Sequence, residues 1–198
     1  MKDTRAREPS PWRVANALTL FRLVIAAPAM LLLALAGQRE PFVWVLAASF
    51  ASDFVDGTVA RLCGGSTRFG AVLDSWADVA AYSAIAIGLA LLWPELVRRE
   101  WLACAALVAS FVLPSVVGLA RFGCFTSYHT RLVKLAVATT AAGLLVLLWA
   151  GQAWLFRLAA AVAALAALEE MVITCLLDAP RSNVRGMLSV WRERRTRV

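Results

Sequence analysis

Six apolar stretches, near residues 18–36, 41–62, 71–93, 101–120, 132–150 and 154–177, constrain this chain more than any other feature. Each is long enough to cross about 30 Å of hydrocarbon as a helix. In lipid the backbone polar groups must be satisfied within the segment itself, and helices do this. The sequence is 61% hydrophobic, whereas a soluble domain is about 45–50% apolar; the excess is expected to face lipid. Trp44, Trp93, Trp101, Trp149 and Trp154 lie near the expected ends of these stretches, where amphipathic rings anchor a helix at the membrane surface. The expected fold is therefore all-α, an integral membrane bundle of six transmembrane helices. The chain reads as a single domain: a segment 1–17, a membrane core 18–177 and a basic tail 178–198.

Charge placement predicts orientation. With the six spans in place, Arg39, Arg98, Arg99 and Arg157 fall on one side of the membrane and Arg22 falls within it. Every other Lys and Arg of the chain, including those of the tail from Arg181 to Arg197, falls on the opposite side. By the positive-inside rule, both termini are expected in the cytoplasm. The tail lacks the interleaved aromatics of a nucleic-acid surface, so no nucleic-acid partner is expected; anionic lipid headgroups suit it better. The four cysteines are far apart and have no metal-ligand spacing, so they read as small packing residues.

Against this apolar background, four carboxylates crowd one region: Asp53, Asp56, Asp74 and Asp78. A carboxylate in hydrocarbon costs several kcal/mol unless a cation, a partner or water offsets it. Residues three and four apart share a helix face, so Asp53, Asp56, Gly57 and Ala60 are expected on one side of the second span. Gly70, Asp74 and Asp78 are expected on one side of the third. A short loop makes these spans antiparallel neighbours, and the two carboxylate pairs can converge at their cytoplasmic ends. Hard oxygen ligands suit Mg²⁺, Mn²⁺ or Ca²⁺ rather than zinc. Gly57 and Ala60 leave a groove, and Arg61 lies one turn beyond Gly57, placed to meet a phosphate. Acid, divalent metal, small residues and arginine together describe a pyrophosphate site.

The residues form the pattern D-x2-D-G-x2-A-R-x8-G-x3-D-x3-D, matched at every fixed position from Asp53 to Asp78. This is the signature of the CDP-alcohol phosphatidyltransferases, and the chain resembles that family. The run from Asn16 through Thr19 to Arg22, followed by Pro28, is similar to the family's first span. The resemblance implies transfer of a phosphatidyl group from CDP-diacylglycerol to an alcohol, with release of CMP. It implies two divalent cations, Mg²⁺ or Mn²⁺, held by Asp53, Asp56, Asp74 and Asp78, with Asp78 the base for the acceptor hydroxyl. Asp56, Gly57, Ala60, Arg61 and Gly70 would bind the CDP-lipid. A homodimer in the bacterial inner membrane, with its active site facing the cytoplasm, is also implied.

The acceptor is less constrained. In the family, the region around the start of the fifth span helps form the acceptor pocket, and here it carries Arg121, Arg131 and Lys134. Three cations suit a phosphorylated acceptor such as glycerol 3-phosphate. The Asp74-Ser-Trp-Ala-Asp78 segment departs from the Asp-Pro-x-Ala-Asp common among glycerophosphate users, which keeps serine or an inositol phosphate open. A cation-coupled transporter is the alternative of a different class. It would place its carboxylates at the midplane in two matching halves, whereas these crowd one end. Four other residues have no assigned role. Arg22 can pair with a carboxylate or a phosphate, or snorkel to the interface. His129 reads as a loop residue. Glu169 and Glu170 lie two turns inside the sixth span, where one could pair with Arg22 or Lys134.

Overall fold

The computed structural model describes residues 17–62, 68–123, 128 and 130–177, with side chains described at these positions except 56–62 and 68–72. Among these described residues seven helices follow in order: α1 (Ala17–Leu35), then α2 (Arg39–Leu62), α3 (Arg68–Leu92), the short α4 (Pro94–Arg99), α5 (Trp101–Phe122), α6 (Arg131–Ala150) and α7 (Trp154–Leu176). No strand occurs among the described residues. The chain divides into two compact units, Met1–Glu95 and Leu96–Val198.

Five helices, α1, α5, α6, α7 and the Leu73–Leu92 part of α3, are long and apolar enough to cross a membrane. The stretch expected as the second span forms helix α2, which is not among these five. Its 24 residues extend about 36 Å, but Asp53 and Asp56 within it make it less apolar than the other five. The short helix α4 was not expected from the sequence.

Side-chain size is distributed as lipid contact requires. On α7 the buried positions are mostly alanine (Ala159, Ala160, Ala163, Ala166 and Ala167), while Leu158, Leu165, Leu168 and Val172 are exposed. Small residues inside let helices approach closely, and large apolar residues outside meet acyl chains. In water such a surface would far exceed the patches a monomer tolerates.

In the first unit, α1 packs against both α2 and α3. α1 is not uniform: a π-helical turn spans Arg22–Ala26, in which the Ala27 N–H donates to the Arg22 carbonyl. The turn ends two residues before Pro28. Proline lacks an N–H and its ring crowds the carbonyl four residues back, and a π turn is one way of relieving that crowding. Between α2 and α3 the fully buried Phe42 ring lies against Gly88 and meets Trp93 edge-on, with centroids 5.9 Å apart. The Arg39 guanidinium lies 5.7 Å from the Trp93 centroid. A Cβ at residue 88 would overlap the Phe42 ring. Gly88→Ala is therefore expected to lower stability by about 1–3 kcal/mol, the cost of overpacking. A thermal-unfolding scan in detergent checks this; an unchanged midpoint would show that α2 and α3 can separate without penalty.

In the second unit, α7 packs against α5 and α6. Gly143 allows a close approach of α6 to α7, since a Cβ there would lie 3.0 Å from the Phe156 backbone. At one end of this unit Glu100, buried just before α5, receives Arg157 Nε at 2.8 Å and Nη2 at 2.9 Å. The Arg157 hydrogen bonds hold the Glu100 carboxyl below its ordinary range, against the opposing effect of burial. At the other end, Thr130 caps α6 by accepting from the Val133 N–H at 3.2 Å. The Thr130 hydroxyl in turn donates to Glu169 at 2.8 Å. Glu170 accepts from the Tyr128 N–H at 3.4 Å, and Thr174 donates to the Tyr128 hydroxyl at 3.1 Å. Glu169 and Glu170 thus each have a partner among the residues leading into α6, Thr130 and Tyr128, a pairing the sequence did not indicate.

Candidate active site

Helical spacing brings the aspartates together as expected. Asp53 comes from α2, and Asp74 and Asp78 come from successive turns of α3. Each offers one carboxylate oxygen, and these oxygens lie within 4.8 Å of one another. Each side chain is a little over one-third exposed, so the cluster is reachable from outside.

Arg22, from the π turn of α1, completes the group. Its Nη1 pairs with Asp53, and its Nη2 reaches Asp74 at 2.8 Å and Asp78 at 3.1 Å. Arg22 is only 2% exposed, so the choice between pairing and snorkelling falls to pairing. A guanidinium does not lose its proton in proteins, so this burial requires carboxylates around it. The Arg22 Nε is buried and has no hydrogen-bond partner among the described residues. Leaving such a donor unsatisfied costs about 1–3 kcal/mol.

The remaining motif residues are placed only through the backbone. Asp56, Gly57, Ala60 and Arg61 lie on α2 and Gly70 on α3, while their side chains fall outside the described residues. His129 also lies outside them. In the second unit, Arg131 and Lys134 are exposed in the first turn of α6. Arg121, at the end of α5, donates to the Leu177 carbonyl at 3.1 Å and lies 5.6 Å from the Phe122 ring centroid.

The acidic residues fit a hard divalent cation. Oxygen–metal distances of about 2.0–2.6 Å allow one ion to bridge carboxylate oxygens at the observed separations, and the Arg22 guanidinium already stands among these carboxylates as a cation. Thiolate and imidazole ligands are absent from this described cluster, which favours oxygen-seeking ions.

The model of the CDP-alcohol phosphatidyltransferase family matches residues 12–176, which include both helices of the cluster. The chain belongs to this family. Among curated relatives of this CDP-alcohol phosphatidyltransferase family member is a protein from Cereibacter sphaeroides named CDP-diacylglycerol–glycerol-3-phosphate 3-phosphatidyltransferase. It is 31% identical over 135 residues. That alignment covers 66% of this chain and 59% of the relative, so the chain spans somewhat over half the length of the relative it matches. No solved structure matches the chain.

Three of the four motif aspartates thus meet in space, and the spacing foretold it. Arg22 is the site residue whose role the sequence left open. Its signals were an arginine inside an apolar span, which is costly without a partner, and a nearby proline able to disturb the helix.

Proposed function

We propose that this protein transfers a phosphatidyl group from CDP-diacylglycerol to a hydroxyl acceptor, glycerol 3-phosphate by preference, and releases CMP. The observation that carries this reading is the meeting of Asp53, Asp74 and Asp78 from two helices of a family-matched segment. Asp53, Asp56, Asp74 and Asp78 would hold two divalent cations, Mg²⁺ or Mn²⁺. When bound, these neutralise the pyrophosphate and the charge that develops on the leaving CMP.

The remaining chemistry falls to the chain itself. Asp78 accepts the proton of the acceptor hydroxyl. The acceptor oxygen then forms a bond to the phosphorus carrying the lipid, while the bond from that phosphorus to the CMP oxygen breaks. Gly57 and Ala60 leave room for the nucleotide along α2, Gly70 does so on α3, and Arg61 pairs with phosphate. The exposed leucines and valines of the described helices keep the lipid donor and the enzyme in one phase.

We read the whole chain as one catalytic domain, because the family match runs without a break through both units. It acts as a homodimer with six spans, α2 included, and with both termini and the Asp cluster facing the cytoplasm. The charge distribution supports that orientation, and a bacterial inner membrane is the location in keeping with the bacterial relative.

The acceptor reading rests on Arg121, Arg131 and Lys134 and on the name of the Cereibacter relative. Lys134 and Arg131 share one face of the first turn of α6, where the helix dipole disfavours cations; an anionic acceptor would offset that cost. Lys134→Ala is expected to raise the KM for glycerol 3-phosphate at least about tenfold, the value of one charge-assisted hydrogen bond. The KM for CDP-diacylglycerol should stay within twofold. Equal effects on both, or turnover with serine and none with glycerol 3-phosphate, would remove the acceptor assignment while leaving the reaction class in place.

A further inference from the structure

Arg22 is a permanent cation, 2% exposed, paired with three aspartates from two other helices. Those three aspartates are also the ones grouped closely enough to hold a metal ion. A guanidinium and a divalent ion cannot both be fully served by the same carboxylates at these separations, since like charges brought this close repel. The second observation is the orphaned Nε. With Nη1 directed to Asp53 and Nη2 to Asp74 and Asp78, the third face of the fork is buried and has no partner among the described residues. A donor of this kind calls for an anionic oxygen, and arginine's planar fork is matched to phosphate. The π turn at Arg22–Ala26 places Arg22 on a segment of non-standard helical register, a feature found frequently at functional sites.

We propose that Arg22 is an exchangeable counter-cation of the acidic cluster: divalent ions displace its guanidinium from the aspartates, and the freed guanidinium then holds a phosphate oxygen of the CDP-linked donor. The inference rests on the function proposed above and adds an order to it, metal first and donor second. In the absence of metal, Arg22 holds α2 and α3 together at the site by neutralising their carboxylates. With metal loaded, it becomes a donor-positioning residue.

The test uses the full chain in detergent, with Mn²⁺ binding followed by electron paramagnetic resonance and CDP binding followed by calorimetry at saturating Mn²⁺. Arg22→Gln is expected to bind Mn²⁺ about tenfold more tightly than wild type, because the competing cation is gone, and CDP about tenfold more weakly. Its thermal midpoint should fall in chelator and recover in Mn²⁺. Arg22→Lys keeps the charge but loses the fork, so its Mn²⁺ affinity should lie close to that of wild type while CDP still weakens; it carries the phosphate-holding half, and failure of the glutamine variant to fold even in Mn²⁺ would itself overturn the displacement half. In Arg22→Gln, equal destabilisation with and without Mn²⁺, together with unchanged Mn²⁺ affinity, would show a fixed structural ion pair and overturn the inference. Tighter Mn²⁺ binding with unchanged CDP affinity would overturn the phosphate-holding half. Absence of Mn²⁺ binding in wild type and variants alike would remove the metal-dependent function as well, which separates failure of that reading from failure of this one.

Discussion

Asp78→Asn is expected to leave the protein folded and able to bind CDP-lipid while lowering turnover by about 10²–10⁴-fold, the range attributed to a positioned general base. The amide keeps the shape of the carboxylate but cannot take the hydroxyl proton. Folding should survive, since Asp78 is one of three carboxylates around Arg22 and is more than one-third exposed. Removing it still leaves Arg22 paired with Asp53 and Asp74. CDP binding and a thermal scan distinguish a chemical defect from a folding defect. Turnover within a few-fold of wild type would dismiss Asp78 as the base and leave it at most a metal ligand.

Asp53→Ala should be equally severe for a different reason. Asp53 is the one aspartate that α2 is seen to contribute to the cluster, the other two coming from α3. Without it, α2 loses its described hold on both Arg22 and a metal ion. Activity should be undetectable at any practical Mg²⁺ or Mn²⁺ concentration, because a hard cation depends on its carboxylate oxygens. Titrating wild type and variant with Mn²⁺ while following CMP release checks this. A variant whose turnover follows the same Mn²⁺ dependence as wild type would show that Asp53 is not a ligand.

These two expectations were legible in the sequence because helical periodicity is local. Asp74 and Asp78 must share a face if α3 is a helix, and the short connection to α2 brings Asp53 alongside. Helix positions were legible for the same reason, to within a few residues. The apolar stretch at 41–62 did become a helix, yet Asp53 and Asp56 within it lower its apolarity, so the motif weakens the very signal by which a span is read. Arg22 could not be assigned from its own segment. Its partners are 31, 52 and 56 positions away, and nothing local distinguishes a buried pair from a snorkelling side chain. Glu169 and Glu170 were opaque for the same reason, being matched to Thr130 and Tyr128 across 39 and 42 residues. Long-range polar partners are set by packing, and packing between alanine-rich helices leaves little trace in sequence spacing.

The central claim is that the aspartate cluster carries metal-dependent phosphatidyl transfer. Its most direct test supplies the purified protein with CDP-diacylglycerol, Mn²⁺ or Mg²⁺ and a panel of acceptors comprising glycerol 3-phosphate, serine and an inositol phosphate, and follows CMP release. The account predicts CMP release that needs both an acceptor and a divalent cation, is greatest with glycerol 3-phosphate, and stops in excess chelator. Undiminished release in chelator, or none with any acceptor in the presence of metal, would contradict it.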